Sequence, residues 1–476
     1  MASGSFYFYD LETSGINPRS ARIMQFAGQR TDMNLNPIGE PHNLLIKMTD
    51  DVLPEPDAIL ITGITPQQTV SEGITEEAFL QVFFEEVATP GTIFVGFNTI
   101  RFDDEFMRYL MWRNYHDPYE WQWKNNRSRW DLLDVVRMTR ALRPDGIKWP
   151  FAPDGKPTNR LELLTALNGL EHSHAHDALS DVYATIAVAR LISETHPKLF
   201  SYLLGMRDKR QVAALVEQNK PFVYSSGKYA NEWEKTTVAV RLGDNPKKQG
   251  ALVYDLRHDP TEFLKLSPSD LAKRWQWTKD EEAPKRLPIK TLQYNRCPAI
   301  APLTVLDESS KRRLNIHDDK IAKHLQLIQK DKKFLDNVYA TLEQMNKQQQ
   351  TSFLSDQRDV DSQLYDGFVP DADRRHYSSI HATVPDEKPA FQDERLNALW
   401  PLYKARNFPS KLSDEERTIW EEFRVGKLMT GGQQSTAAKF FARLSQLAQR
   451  TDLSSDDGYI LEELQLWGQS ILPSEY

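Results

Sequence analysis

Cysteine is almost missing from this sequence, with Cys297 the single one in 476 residues. One thiol cannot close an internal bridge, which excludes a disulfide-stapled secreted fold and fits a reducing compartment. Long apolar runs are lacking as well, and none approaches the roughly 20 residues that a membrane-crossing helix needs. The opening SGSFYFYDLETSG has no basic stretch ahead of an apolar core, so neither a signal peptide nor a membrane anchor is expected there. No repeat of about 20–50 residues recurs. Low complexity is confined to the glutamine patch NKQQQTSFLSDQRD near residues 346–358, which makes a linker there plausible on composition. Positive charge is also in deficit: 59 Lys and Arg against 67 Asp and Glu leave −8. Phosphate binding normally leaves a basic footprint, so the total stands against a nucleic-acid partner.

What is present is an ordinary globular composition, long enough for roughly two to four cores at ~100–200 residues each. The first third alternates strand-like SFYFYDLE, IMQFAGQRTDM and IFVGFN with helix-like runs, the last from Ala178 to Ser193, which is the order of an α/β domain. Within that run Val182, Ile186, Ala189 and Ile192 recur at helical spacing and should face a core. After His196-Pro197 the pattern changes to β-type alternation, with TTVAVRLGD and GALVYDL flanking a turn as a hairpin. A helix carrying Ile321, Leu325, Ile328, Leu335, Val338 and Leu342 on one face should close this unit. Beyond the glutamine patch the pattern is helical: Ser413 and Glu416 form a capping box, and Phe440, Leu444 and Leu447 keep the helical period. The chain therefore divides near 196 and 350. Residues 1–196 hold 17 basic and 27 acidic groups, 197–350 hold 28 and 19, and 351–476 hold 14 and 21. The segments carry −10, +9 and −7, so the total of −8 averages unlike parts. A basic middle segment suits a polyanion, although a solvated Lys/Arg face is the commoner cause of such a run.

Three short motifs carry chemistry. Asp10 and Glu12 stand two apart at the end of a strand, which places both carboxylates on one face. Alone, D-x-E is common and usually sees water. About ninety residues on, GTIFVGFNTIRFDDEF reads as a strand, a loop and then Asp103 at a helix start, where Asp104 and Glu105 would be favoured by the helix dipole anyway. In EHSHAHDALSDVYAT, His176 precedes a helix and Asp181 follows five residues later. Each motif has a bland explanation, and the ordered set of four carboxylates and one histidine does not.

That order, D-x-E, then N-x-x-x-F-D, then H-x-x-x-x-D, resembles the DEDDh exonucleases on a ribonuclease H-like fold. The segments FDDE, ITGITPQQ, NRSRWDLLDV, ALRPDGIKWP, HAHDALSDVYATIA, SQLYDGF and YKARNFP resemble the bacterial exonuclease I family from residue 10 to about 410. The resemblance implies an exonuclease domain over 1–196, an SH3-like β-rich domain over 197–350 and an α-helical C-terminal domain over 351–476. It implies a processive 3′→5′ exonuclease on single-stranded DNA that releases 5′-mononucleotides and serves DNA repair and recombination in the cytoplasm. An all-oxygen carboxylate set suits Mg²⁺, with Mn²⁺ possible, better than zinc. By resemblance two ions are held: Asp10 bridges them, Glu12 and Asp181 complete the site, Asp103 reaches the second, and His176 is the general base.

Between Arg108 and Arg143 the sequence interleaves cations with Tyr and Trp, the chemistry that single strands require, although several of these rings should be core. Matching the family's motifs, the strand contacts are Arg108, Tyr119, Trp123, Arg137 and Arg160, with Glu12 and Arg160 nearest the terminal nucleotide. Lys209, Lys290, Asn295, Gln363 and Asp366 join them from the later segments. The acidic C-terminal tail of a single-strand-binding protein is the implied protein partner, with Arg143 and Tyr202 in its groove. Pro302 and Asp307 in APLTVLDESS depart from the polar or basic character expected there. No membrane is involved, and a monomer is expected. Two rivals stay open: a DEDDh exoribonuclease, disfavoured by the 280 residues after the first domain, and a non-catalytic single-strand clamp, disfavoured because every catalytic position is filled.

Overall fold

The computed structural model describes residues 4–172, 177–247, 249–275, 284–353, 359–382 and 388–472. Its contacts divide these into two units, one built from residues 4–128, 172, 177–185 and 359–472, the other from 129–171 and 186–353.

In the first unit the apolar stretches form β1 (Ser5–Thr13), β2 (Ile23–Thr31), β3 (His42–Leu45) and β4 (Thr92–Gly96). Their order is β3-β2-β1-β4. β2 runs antiparallel to β1, with Asp10 opposite Ala27, and β4 runs parallel to it, with Phe8 opposite Val95. Phe6 to Tyr9 are all buried, which is why β1 reads as a continuous apolar run: a central strand is covered on both faces. Helices α1 (Glu76–Val82) and α2 (Asp103–Arg113) follow, and α3 (Ala178–Thr195) begins in this unit and continues in the second. Val182, Ile186, Ala189 and Ile192 of α3 are buried, as their spacing predicts. One core is aromatic, with Phe26, Phe79, Phe83, Phe94 and Trp121 in mutual contact.

The same unit contains the helical end of the chain: α4 (Tyr377–Ala382), α5 (Glu394–Asn407), α6 (Asp414–Met429), α7 (Thr436–Ala448) and α8 (Ser455–Ile471). Both halves of the capping box at Ser413 and Glu416 are made. Phe440, Leu444 and Leu447 join Leu464 and Trp467 against Met48, Val52 and Ile59. Leu396, Trp400 and Tyr403 of α5 pack on Tyr109, Trp112 and Tyr115.

The second unit begins in β5 (Ser128–Asp131). It holds an antiparallel sheet of β6 (Phe222–Ser225), β7 (Thr236–Asp244), β8 (Gly250–Asp255), β9 (Ile289–Gln293) and β10 (Ala299–Pro302), in the order β10-β6-β7-β8-β9. The predicted hairpin is β7–β8, with a register shift between Arg241 and Gly243. The single closing helix is in fact two, Asp318–Lys330 and Lys332–Phe353. Asp331 leaves helical geometry, and its carboxylate caps the second helix by accepting from the Lys333 and Phe334 amides. That helix runs on through the glutamine patch, so the patch is helical up to Phe353 and is no linker there. Composition misled here because glutamine is a competent helix former.

The helical end and the sheet share a buried ionic network. Asp51 and Asp361, both with fully buried side chains, face Arg22, Arg406 and Lys427. Arg406 meets Asp361 through two nitrogens at 2.8 and 2.7 Å and Asp51 at 2.8 Å, while Arg22 reaches Asp361 at 2.7 Å. Burial raises the cost of these carboxylates, and the three cations overcome it and hold both well below the usual carboxylate range. Removing one partner strands the others without water. Asp361→Ala should therefore cost about 3–5 kcal/mol in urea unfolding. A loss near zero would show that the network contributes nothing to holding these segments together.

Candidate active site

β1 delivers Asp10 and Glu12 to one face near the end of the strand, as the period of two requires. β4 stops at Gly96, where a Cβ would stand 2.9 Å from the Tyr9 carbonyl, and Asn98 turns the chain at a φ of 76°. Only glycine fits so close to β1, and the turn sets Asp103 at the first position of α2. The tie is reinforced by the Tyr9 hydroxyl, which donates to Asp104 at 2.6 Å. Asp181 comes from the first turn of α3. Carboxylate oxygens of Asp10, Glu12 and Asp181 lie within 4.8 Å of one another. Asp103 stands outside this triad and is buried.

Burial, with repulsion from neighbouring acids, raises the carboxyls of Asp10 and Asp103 well above their ordinary range. Glu12 is pushed up to about 9, by burial first and then by Asp10, Asp181 and Asp177. No Lys or Arg is among the groups that set these three shifts. Acids that are buried together without a side-chain cation fit a divalent metal site, and oxygen donors favour a hard ion. His172 Nε2 lies 2.6 Å from Asp181 Oδ1, a partner that the sequence pattern did not single out. His176 lies outside the described residues.

The residues expected along the strand fall into two groups, one in each unit. In the first, Arg108 is buried and held by Glu105 at 2.6 Å and Gln122 at 3.1 Å, with its guanidinium 5.4 Å from the Tyr119 ring centre. Tyr119 is partly exposed, and Trp123 is 61% exposed. Gln363 accepts from Arg395 through its carbonyl at 2.9 Å, and Asp366 is exposed. Sequence reasoning passed over Tyr365, whose hydroxyl donates to Glu105 at 2.5 Å, and over Phe368, which is 95% exposed. The signal was available, since both rings lie in SQLYDGF.

In the second unit Arg137 is paired with Asp134 at 2.6 Å, and Arg160 is 71% exposed, 3.5 Å from Glu162. Lys209 is exposed at the start of the helix Lys209–Val216. Lys290 lies 3.4 Å from the centre of the Tyr229 ring, and burial lowers its ammonium to about 7. Asn295 is exposed and accepts from Arg129 through its carbonyl at 3.0 Å. Arg143 donates to the carbonyls of Leu142 and Val305 and stands 3.8 Å from Asp307, the acid that departs from the expected groove. Tyr202 is partly exposed, and burial pushes its hydroxyl up to about 12.

The mixed sheet, the flanking helices and the buried acids define a nuclease of the exonuclease class, and comparison with known proteins narrows the class. The Exonuclease family model matches residues 7–189, the Exonuclease I SH3-like domain matches 207–344 and the Exonuclease I C-terminal domain matches 358–471. Exodeoxyribonuclease I of Haemophilus influenzae is 38% identical over 480 residues, covering 98% of this chain and 99% of that protein. The exonuclease I of Methylocaldum szegediense, described as moderately thermophilic, is 42% identical with a TM-score of 0.91, covering 99% of this chain and all of that one. Escherichia coli exonuclease I in complex with a dA16 oligonucleotide gives 36% and 0.91, covering 98% of this chain and all of that one. Other related structures include a zinc-bound form of the E. coli protein with single-stranded DNA and an exonuclease I with SSB and an inhibitor. The chain belongs to the exodeoxyribonuclease I family. Its order of parts is an exonuclease domain, an SH3-like domain and a helical C-terminal domain. No helix among the described residues is long and apolar enough to cross a membrane.

The acid cluster has a measurable signature in metal-free protein. Unfolded, Glu12 titrates near ~4.3; folded, it titrates at about 9. The folded state binds more protons in between, so the stability linked to this group is complete below pH ~4 and is lost as pH rises toward 9. In chelator, Asp10→Asn should raise Tm above wild type by more at pH 8 than at pH 5, and excess Mg²⁺ should reverse the order. Equal Tm values for the two proteins throughout would refute the mutual repulsion.

Proposed function

We propose that this chain is a processive 3′→5′ exonuclease that degrades single-stranded DNA to 5′-mononucleotides in DNA repair and recombination. The observation that carries this is the cluster of Asp10, Glu12 and Asp181, whose carboxylate oxygens lie within 4.8 Å of one another, in a chain similar to exodeoxyribonuclease I over nearly its whole length. We assign 1–196 to the exonuclease domain, 197–350 to the SH3-like domain and 351–476 to the C-terminal domain.

Asp10, Glu12, Asp103 and Asp181 would hold two divalent ions, Mg²⁺ or, in its place, Mn²⁺. Such ions polarise the phosphate and make water a better nucleophile when bound. His176, at its fixed spacing before Asp181, takes the proton of the attacking water. Arg160, exposed at the head of the helix Leu161–Leu167, orients the terminal nucleotide together with Glu12. Arg108 supports the Tyr119 ring, and with Trp123, Tyr365 and Phe368 that surface offers faces on which bases stack without sequence preference. Arg137, Lys209, Lys290 and Asn295 contact the strand from the second unit, and Gln363 and Asp366 from the first. Asp366 accepts from a base or orients a neighbour, since it cannot attract phosphate. The enzyme acts in the cytoplasm as a monomer.

Time courses on 5′-labelled and 3′-labelled single strands, DNA and RNA, with Mg²⁺ or chelator, test this reading. The 3′ label should appear at once as mononucleotide and the 5′ label as a shrinking ladder, with DNA preferred and chelator abolishing both. Asp10→Ala should lose turnover yet retain strand affinity. His176→Ala should lose about 10²–10⁴-fold and its acid-side fall in rate. Release from the 5′ end, or normal cleavage by Asp10→Ala, would overturn the assignment.

Arg143 and Tyr202 form part of the site for the acidic tail of a single-strand-binding protein, a reading supported by the related complex with SSB. Asp307 beside Arg143 weakens the attraction for an acidic peptide. Arg143→Ala should weaken tail-peptide binding and Asp307→Asn should strengthen it, as read by fluorescence anisotropy. Unchanged affinity in both would remove this groove.

A further inference from the structure

The loop that leaves β1 just after Glu12 and Thr13 is tightly built. At its base the Ser14 amide donates to the Arg22 carbonyl at 2.9 Å, and the Ser14 hydroxyl accepts from the Arg22 amide at 2.8 Å. Asn17 turns the chain: its carbonyl accepts from the amides of Ser20 and Ala21, and its side-chain oxygen from the amide of Arg19. The Ile16 amide donates to Glu55 at 3.2 Å. A loop pinned at this many points presents its side chains in fixed positions, and one of them is Arg19. Its Nε donates to the Tyr109 hydroxyl on α2 at 3.3 Å, a bond that spans 90 residues.

That partner carries no charge. Arg22 of the same loop, and Arg108 and Arg113 of α2, each meet a carboxylate. Arg19 forms no ion pair among the described residues, and its one side-chain bond is to the phenol. A guanidinium has five N–H donors in a planar fork, so the terminal nitrogens of this half-buried side chain, and its whole charge, stay uncommitted. Tyr109 in turn meets the Tyr365 ring edge-on, with centroids 5.9 Å apart. The Tyr365 hydroxyl donates to Glu105, which holds Arg108 beside the Tyr119 ring. Burial raises the Tyr109 hydroxyl above its ordinary range, Arg19 opposes the rise, and Glu105 and Asp366 add to it. Asp366 therefore stands near the same hydroxyl, and its charge there would repel a phosphate unless a cation offset it.

We propose that Arg19 binds a backbone phosphate of the single strand, on the surface where the loop after β1 meets the rings of Tyr109 and Tyr365. The guanidinium fork matches phosphate oxygens in pairs. Cations interleaved with ring faces are what a single strand requires, so the phosphate lies on Arg19 while bases stack on the rings beside it. Arg19 also offsets the negative field of Asp366 at this point of the track. The contact reads no base edge, so it adds affinity without sequence preference. This assignment rests on the chain acting on single-stranded DNA, and the experiment separates the two.

The full chain carrying Asp10→Ala serves as the parent, because it should hold the strand without cutting it. Its affinity for fluorescein-labelled dT and dA oligomers is read by anisotropy across a salt series. Arg19→Ala, added to the parent, should weaken binding about three- to tenfold at low salt, equally for both oligomers. It should also flatten the slope of log K against log salt by about 0.7, the share of one phosphate on a single strand. Arg19→Lys, which keeps the charge, should restore the slope. Tm should not change in either variant. A lower Tm in Arg19→Ala with affinity and slope equal to the parent would overturn the proposal and leave Arg19 as a tie between the loop and α2. A parent that binds neither oligomer would overturn the exonuclease reading and this contact together.

Discussion

Carboxylates buried side by side must be neutralised, and the first unit does so in opposite ways at two places. Around Asp51 and Asp361 the protein supplies its own cations, Arg22, Arg406 and Lys427, and the acids stay ionised. Around Asp10, Glu12 and Asp103 no Lys or Arg among the described residues sets their titration, and the carboxyls are driven toward their neutral form. The first arrangement is complete in itself. The second is complete only with something positive from solution, which is the physical meaning of a metal-dependent site. The negative total of the chain thus includes charges that the fold does not balance internally.

The strand contacts divide by the same logic of commitment. Arg108 and Arg137 are already paired with acids, so they serve as rigid supports more than as free phosphate hooks. Arg160, Lys209 and the rings of Trp123 and Phe368 lie open to solvent. Lys290 is intermediate: seated on Tyr229 and partly desolvated, it is easily discharged, and a nearby phosphate would restore its proton. Affinity that rests on exposed cations and rings should fall with salt and ignore base identity.

Much of this was legible in the sequence for specific reasons. Asp10 and Glu12 stood out because a strand fixes their common face, and Asp103 and Asp181 because each opens a helix. The hairpin, the capping box and the buried face of α3 followed from periods of 2 and 3.6. The illegible parts depend on distance along the chain. Arg19 meets Tyr109 across 90 residues, and the pairing of Arg22 with Asp361 joins residues 339 apart. The break at Asp331 was missed because an apolar face continues across it, and only the local cap reveals the stop. Tyr365 and Phe368 were visible, but nothing in the pattern distinguished an exposed ring from a core one.

The long span of the ionic network also bears on how the chain comes to be folded. Asp51 waits for Arg406, which lies 355 residues later. At ~5–20 residues per second of synthesis, that is an interval of roughly 20–70 s. For that time the sheet that carries Asp10 and Glu12 exists without the helices that close over Asp51, Val52 and Ile59. The nascent sheet domain therefore exposes an apolar face, and its Arg22–Asp51 pair lacks Asp361 and Arg406, until the helical end emerges. A polypeptide truncated before α5 should accordingly be a client of chaperones, and the nuclease half of this chain is not a module that can be cut free.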